Sequence, residues 1–458
     1  MNQKIIIISL ALLAFLGINT VGAESWYDEF EYKFKNPYSS LYDRSKGNIT
    51  VPAWGEAYTL RGYISMYRAK NDTKWLNYTT IRVDNLINES RDVPDWTDYD
   101  SIYEDGYKDW GTSYYTDQYD EFMVHDGHIS VPILRFVKLV YNNPTLHDQI
   151  AYDGETFKNK ADHYLKFIED NIIAKWYVNW NTSHGSGDGQ FLRNWTGDWR
   201  QNQPHNMYLA FGTTLLLLHE IAQSPCYVPA NSNYSSFYLN QSTEMAQYFK
   251  DNLIYNATDD AYLWDYMKNG REEDLSHGNM DIEFVIRSYQ LGIVFNDADM
   301  NRFANTVLNI LWNKNETHPD FRSHVDYMGG YGNDSIITGP GKYNLQQWLW
   351  LYEFNPLVGT IINQFYINLY NFTSHSDNLN PDRRIGNSEV YANLAGQETG
   401  IFEDDYPQPG VTCGSQAVPP HAVPSQAVPG LSQIGILILF ILTMILGVVK
   451  ISDSNNLK

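Results

Sequence analysis

The sequence predicts an all-α protein: an α/α toroid of five to six helical hairpins, followed by a proline-rich stalk and a single transmembrane helix. Three observations lead to this prediction. Apolar helical stretches recur at nearly constant spacing, each is followed by a more amphipathic helix, and a separate apolar run lies near the carboxyl terminus. The 458 residues suffice for one large core and these additional segments.

The amino terminus has the pattern of a secretory signal. Lys4 precedes an apolar run from Ile5 to Leu16, and Val21 and Ala23 occupy the −3 and −1 positions of a cleavage site. A charged start, a short apolar run and a small-residue exit are typical of a signal peptide, which we assign to residues 1–23. A permanent N-terminal anchor is less favoured, because the run is short for a membrane span.

Five apolar stretches with helical periodicity recur through the body of the chain. They are apolar almost all round, which indicates helices that are buried on every side. The stretches begin near Trp54, His128, Pro204, His277 and Asn344, at spacings of 74, 76, 73 and 67 residues.

A second helix with a polar face follows each buried one, so the repeating unit is a hairpin of an inner and an outer helix. An open α-solenoid is the competing architecture, but its repeats usually have ~34–47 residues and short loops. A sixth hairpin requires the stretch from Glu24 to Pro52 to pair with the chain after Phe372, so that the toroid occupies residues 24–406. The predicted outer helices are Trp75–Glu89, Glu155–Asn171, Ser242–Leu253, Asp297–Trp312 and Pro356–Tyr370.

The carboxyl-terminal part predicts a stalk, an anchor and a short tail. Residues 407–432 contain the sequence SQAVP twice, and proline at this density favours an extended linker. The apolar run from Ile434 to Val449 gives a helix of about 24 Å, a little under a ~30 Å hydrocarbon core. We therefore predict a transmembrane helix at residues 433–450 and a cytoplasmic tail at residues 451–458.

Glycosylation sequons support an extracellular location for the body. A net charge of −22 argues against nucleic acid as a partner. We therefore expect a cell-surface protein whose partners are an extracellular polysaccharide and, through the C-terminal helix, the membrane. The Asn-X-Ser/Thr sequons begin at Asn48, Asn71, Asn77, Asn88, Asn181, Asn194, Asn233, Asn240, Asn256, Asn315, Asn333 and Asn371.

Cofactors and metals are not predicted. The sequence has no HExxH motif, no paired cysteines, no spaced carboxylates of a calcium loop and no glycine-rich phosphate motif. Cys226 and Cys413 are the only cysteines, so no disulfide framework is expected and packing alone has to stabilise the core.

Polar side chains cluster where the predicted inner helices begin. Since inner helices of a toroid are parallel, these residues are expected to meet at one mouth of the ring. Capping or packing is the alternative role for each of them. The predicted catalytic residues are Asp126, His205, His277 and Asp281, and Asn206 and Glu56 are predicted to bind substrate.

The loops that lead to this mouth are rich in aromatic residues. Aromatic faces bind the C–H faces of sugar rings, and neighbouring polar groups bind the hydroxyls. The predicted substrate-binding residues in these loops are Trp199, Arg200, Trp264, Tyr266 and Tyr331.

Four segments carry a resemblance to a known group. They resemble uncharacterised archaeal and bacterial extracellular proteins, which are similar in architecture to six-hairpin glycosidases and α/α-toroid polysaccharide lyases. The resemblance covers about residues 54–370, and none of the catalytic signatures of those enzymes matches, so it implies an architecture without assigning a reaction. The segments are HDGHISVPILRF, QPHNMYLAFGTTLLLLHE, AYLWDYMKNGREEDLSHGNMDIEF and GIVFNDADMNRFANTVLNILW.

The leading functional hypothesis is hydrolysis of a glycosidic bond in an extracellular polysaccharide. Hydrolysis requires one protonated and one ionised carboxyl group, for which Asp281, supported by His277, and Asp126 are the first choices. A polysaccharide lyase or uronate epimerase is the alternative, with His205, His277 and Tyr266 as acid and base. A non-catalytic sugar-binding surface glycoprotein is the second alternative.

Overall fold

A computed structural model describes residues 23–35, 52–92, 95–98, 101–103, 106–111, 122–178, 204–231, 233–267, 273–325, 344–370 and 388–399. The predicted stalk, anchor and tail, and the predicted signal peptide apart from Ala23, lie outside these ranges. Within them, no helix is both long enough and apolar enough to cross a membrane.

The described residues are mainly helical, with three small two-stranded antiparallel sheets in the connections. The helices are α1 (Ala23–Phe34), α2 (Ala57–Lys70), α3 (Lys74–Glu89), α4 (Met123–Asn142), α5 (Phe157–Phe167), α6 (Ala174–Val178), α7 (His205–Ile221), α8 (Tyr234–Asp251), α9 (Leu275–Gln290), α10 (Asp297–Asn305), α11 (Pro356–Tyr370) and α12 (Ser388–Thr399). The strands are β1 (Arg91–Asp92), β2 (Asp95–Asp98), β3 (Ser101–Tyr103), β4 (Lys108–Asp109), β5 (Ile254–Asn256) and β6 (Ala261–Leu263), which pair as β1–β4, β2–β3 and β5–β6.

The apolar stretches form the inner layer, as their composition predicts. Every residue of α4 is buried, and so is most of α7. In contrast, α8 begins eight residues before its predicted start at Ser242, because Tyr234, Phe237 and Tyr238 already face the core. The outer helices α5 and α10 end in single π-helical segments, Ile168–Ile173 and Thr306–Leu311.

The fifth inner segment is shorter than its sequence suggests. The predicted helix from Asn344 is a 3₁₀-helix at Trp348–Glu353, preceded by a turn. Pro356 then starts α11. A proline disfavours helical geometry in the residue before it, so the 3₁₀-helix cannot continue into α11.

Contacts between neighbouring inner elements close a ring. Helix α2 packs on α4, α4 on α7, α7 on α9, α9 on the 3₁₀-helix, and α12 packs back on α2. Gln347, directly before the 3₁₀-helix, donates a hydrogen bond to Glu389 of α12 and completes the ring. Helix α1 packs on α12, so the sixth hairpin combines the two ends of the described chain as the sequence suggests. Tyr63 of α2 also donates a hydrogen bond of 2.9 Å to the carbonyl of Phe34 at the end of α1.

The starts of three inner helices lie together. Val124 of α4, Ala210 of α7 and Met280 of α9 form a separate small apolar cluster, with Phe122 and Met207 packed against it. Each of these residues belongs to the first two turns of its helix or directly precedes it. These three inner helices therefore run parallel, and their N-terminal ends share one end of the ring, which we call the mouth.

Buried ion pairs cross the interior of the ring. Glu389 of α12 lies 3.5 Å from Arg135 of α4 and 3.8 Å from Arg61 of α2, and it accepts a 3.0 Å hydrogen bond from Gln347. Arg61 also pairs with Glu283 of α9. Burial raises the pKa of Glu389, and the two arginines oppose this shift. One carboxylate thus connects helices from both ends of the chain.

Cys226 corrects the expectation that packing alone holds the core. Its side chain is buried and disulfide-bonded. The other cysteine of the sequence, Cys413, lies outside the described residues. A covalent constraint therefore adds to packing, because a cross-link lowers the entropy of the unfolded chain.

Replacing Glu389 by alanine is expected to destabilise the ring strongly. Removing one partner leaves Arg61 and Arg135 buried without their shared carboxylate, which costs about 3–5 kcal/mol in comparable cases. The free energy of unfolding from urea titration measures this. Lys166→Ala is the control, because Lys166 is 63% exposed in its pair with Asp170 and should lose less than about 1 kcal/mol. Similar losses in both variants would contradict a special role for Glu389.

Candidate active site at the mouth of the ring

The start of α9 carries a cluster of charged residues at the mouth. Asp274 is the N-cap, and its Oδ1 accepts hydrogen bonds from the backbone N–H groups of Ser276 and His277, at 2.8 and 3.1 Å. The preceding Glu273 is held through its backbone carbonyl, which accepts a 2.7 Å bond from the N–H of Val325. Capping and tertiary hydrogen bonds therefore fix two consecutive carboxyl groups.

His277 joins these two carboxyl groups. Its Nδ1 lies 2.7 Å from Asp274 Oδ2 and 3.5 Å from Glu273 Oε1. Burial disfavours a charged imidazole, but the two carboxylates outweigh burial and raise the pKa of His277 to about 10. The His277 and Asp274 side chains are 32% and 27% exposed, whereas Glu273 is fully buried. The positive charge of His277 is thus accessible at the mouth.

The two carboxyl groups have pKa values shifted in opposite directions. Burial raises the pKa of Glu273 to about 7, against the opposing effect of His277. For Asp274, burial is outweighed by the hydrogen bond from His277, and its pKa falls below the ordinary range. At neutral pH, Asp274 is ionised and Glu273 is partly protonated, which is the division of roles found in acid–base sites.

Asp281 lies one turn further along α9, behind this cluster. Its Oδ2 accepts a 2.9 Å hydrogen bond from Trp264 Nε1, and its side chain is completely buried. Burial, and then the nearby charge of Glu273, raise the pKa of Asp281 well above its ordinary value. Asp281 therefore belongs to the cluster but does not reach the surface.

Trp264 has a different role from the predicted one. It is fully buried and stacks on Trp348, with ring centroids 5.7 Å apart. A Cβ atom added to Gly278 would lie 2.8 Å from the Trp348 ring. The close approach of this ring to the backbone of α9 therefore requires glycine at this position. Trp264 positions Asp281 and presents no face to a sugar, which corrects its assignment as a substrate-binding residue.

Tyr266 brings two predicted site residues together. Its ring lies 5.3 Å from that of His277, and its carbonyl accepts a 2.8 Å hydrogen bond from the N–H of His205. The His205 imidazole is buried, 2.6 Å from the Tyr208 hydroxyl, and burial lowers its pKa to about 4. His205 is therefore neutral and enclosed, whereas Tyr266 and His277 are both half-buried. The predicted role of the neighbouring Asn206, which is also buried, stays a prediction.

Asp126 and Glu56 interact with more peripheral parts of the fold. Asp126 Oδ2 accepts a 2.7 Å hydrogen bond from Trp176 Nε1 of α6, and Glu56 pairs with Arg82 of the outer helix α3. Both side chains are buried. Their contacts indicate structural roles. Trp199, Arg200 and Tyr331, which were predicted to bind substrate, lie outside the described residues.

The sequence signal for the cluster was weak. Glu273 and Asp274 read as ordinary residues of a helix start, and capping accounts for Asp274. The informative signal is the pair of consecutive acidic residues with a histidine three positions after Asp274, because this spacing brings the imidazole back over the N-cap.

The same three side chains are close enough to share a cation. One ligand atom from each of Glu273, Asp274 and His277 lies within 4.8 Å of the others. With its raised pKa, the imidazole of His277 supplies a positive charge beside the two carboxyl groups at neutral pH. The prediction that no metal binds stays a prediction.

Comparison with known proteins adds one structural neighbour. No family model matches the chain, and no curated protein matches it significantly. A solved structure of an inactive variant of the α-1,6-mannanase GH76A of Salegentibacter sp., in complex with α-1,6-mannotetrose, is similar to it at 12% sequence identity and a TM-score of 0.43. The match covers 81% of this chain and 97% of that chain.

The ion pairs of His277 predict a pH-dependent stability. A raised pKa stabilises the fold fully below the ordinary value of 6.5, and this stabilisation is lost as pH rises through about 10. Between pH 6.5 and 10, Tm should fall by about 2–4 °C more in the wild type than in His277→Gln, an effect kept small by solvent exposure. Thermal unfolding followed by circular dichroism measures it. Parallel Tm curves for the two proteins would show that His277 gains no charge on folding.

Proposed function

We propose that this protein cleaves glycosidic bonds in an extracellular polysaccharide by hydrolysis. One observation carries the proposal: the half-buried imidazole of His277 lies 2.7 Å from the carboxyl group of Asp274 and 3.5 Å from that of Glu273, and these two carboxyl groups have pKa values shifted in opposite directions. Glycoside hydrolysis requires a proton donor for the leaving oxygen and an ionised carboxylate, the roles that His277, reprotonated by Glu273, and Asp274 would fill here. The position at the mouth of a helical ring supports an extended substrate.

The solvent exposure of each side chain indicates its catalytic role within the cluster. Asp274 is ionised and accessible, so it stabilises the positive charge that develops on the sugar or activates the attacking group. His277 is accessible and protonated, so it donates a proton to the leaving oxygen as the glycosidic C–O bond breaks. Glu273 lies against His277 and returns a proton to it. Water supplies the hydroxyl group to the sugar and the proton that restores Glu273.

Asp274→Asn and His277→Gln test these roles. Each variant should lower kcat at least ~10²-fold while leaving polysaccharide binding nearly unchanged, since general acid–base steps contribute about 10²–10⁴. A panel of polysaccharides, assayed for new reducing ends and for retention on each polymer, supplies both measurements. The control is Asp162→Asn, an exposed aspartate on α5 that pairs with Lys158. Unchanged turnover in Asp274→Asn would remove the proposed site.

A polysaccharide lyase is the second candidate, favoured by the contact between Tyr266 and His277. Elimination uses a base and an acid near the C5 proton of a uronate, and histidine with tyrosine can supply them. Its product carries an unsaturated sugar end that absorbs ultraviolet light, whereas hydrolysis leaves a reducing end without this absorption. Tyr266→Phe should abolish elimination and only weaken hydrolysis. Retention of polysaccharide with neither product would favour a binding protein.

We also propose that the body of the protein lies outside the cell and carries glycans. The sequon asparagines in the described ranges are all exposed or half-buried, as attachment of a glycan requires. Asn233 and Asn240 are seven residues apart and therefore share the solvent face of α8. The described sequon asparagines are Asn71, Asn77, Asn88, Asn233, Asn240, Asn256 and Asn315.

Protease treatment of intact cells tests this location. An extracellular body should be degraded or released without lysis, and its glycopeptides should show a mass increase at Asn233 and Asn240. A cytoplasmic protein cleaved only after lysis serves as the control. Complete protection of the body in intact cells would contradict an extracellular location.

A further inference from the structure

Two buried carboxyl groups face each other behind the mouth. Glu273 Oε2 and Asp281 Oδ1 are inaccessible to solvent, and neither has a hydrogen-bond donor among the described residues. The carboxyl of Asp281 lies within hydrogen-bonding reach of that of Glu273. Buried acceptors without donors are rare in folded proteins, because burial without a partner forfeits their hydration.

Among the described residues, the groups around this pair do not supply enough positive charge. From α9, His277 faces Glu273, but its imidazolium also pairs with Asp274. Trp264 donates only to the other oxygen of Asp281, and Tyr208 of α7 brings no positive charge. Three carboxyl groups thus surround one imidazolium, which leaves an excess of negative charge if all are ionised.

We propose that Glu273 and Asp281 share one proton in a buried O–H···O hydrogen bond, and that Asp281 is the positioning residue that keeps this proton next to His277. A single proton gives both unpartnered oxygens a hydrogen bond and removes one of the excess charges. The shared proton itself depends only on the two side chains. Its use as the supply for His277 rests on the proposed function.

The indole pair makes Asp281 suitable for this role. Trp264 is fixed by its stack on Trp348, whose Nε1 donates a 3.0 Å hydrogen bond to the carbonyl of Leu275 at the start of α9. The bond from Trp264 therefore holds Asp281 Oδ2 and leaves Oδ1 available for the contact with Glu273. The raised pKa values of both carboxyl groups agree with a proton held between them, and such a pair titrates as a unit.

Infrared difference spectroscopy of Asp281→Asn tests the shared proton without requiring a substrate. At pH 7 the wild type should show a protonated carboxylic acid band that the variant lacks, because the asparagine amide donates to Glu273 and stabilises its ionised form. The matched control is Asp126→Asn, which replaces another buried inner-helix aspartate bonded to an indole. This control should retain the band.

The pH dependence of kcat supplies the second readout. If His277 draws on this proton, the basic limb of the profile should move down by about one pH unit or more in Asp281→Asn, with little change in KM. A purely structural role would lower kcat without moving the limb. Glu273→Gln is the second variant, should Asp281→Asn fail to fold, and it should lose the same infrared band.

The outcomes separate the two proposals. Loss of the band in a protein without activity on any polysaccharide would leave the shared proton in place and remove the hydrolase. Persistence of the band in Asp281→Asn and Glu273→Gln would overturn the pair. A wild type without the band, whose Tm rises with Mn²⁺ or Ca²⁺ only while Asp281 is present, would also overturn it, since a cation would then neutralise the site.

Discussion

The buried carboxylate of Glu389 is the constraint on which the ring depends. It connects Arg61 of α2 with Arg135 of α4 from a helix near the other end of the chain. Burying charged groups costs free energy unless every charge has its partner. The Glu389 contact therefore specifies the arrangement of the helices more than it stabilises the fold. If α12 slipped by one turn, this carboxylate would move away from both buried guanidinium groups. This requirement fixes the positions of the inner helices, and with them the positions of the residues at the mouth.

The polar interior and the mouth are distinct regions on the same helices. On α9, Glu283 faces the arginines of the ring interior, while Asp281 is directed toward the indole of Trp264. The two residues are about 200° apart around the helix, so one element supplies both regions. The arginines pair with Glu283 and help to keep its pKa low, against burial, whereas no arginine or lysine among the described residues pairs with Asp281, whose pKa is raised. The different partners of Glu283 and Asp281 therefore shift the pKa values of these two carboxyl groups in opposite directions.

Periodicity carried most of the information about the fold. Buried helices read as apolar on all sides and outer helices as amphipathic, and their alternation predicts a ring of hairpins with its closing pair at the chain ends. The site was harder to predict, because exposure depends on tertiary packing. Trp264 and His205 carry the right chemistry for sugar binding and proton transfer, but packing encloses both. Glu273 could not be singled out from the sequence, because only the fold places Asp281 next to it.

The pairing of the chain ends has a consequence for synthesis. Helix α1 ends at Phe34 and its partner α12 begins at Ser388, so the ring closes over a separation of 354 residues. During translation, α1 and α2 emerge first and remain without α12 until almost the entire body has been made. Their apolar faces are open for this period, and contacts of such long range form slowly. Until α12 has been made, the apolar faces of α1 and α2 therefore have to be kept from other apolar surfaces, a task that chaperones perform.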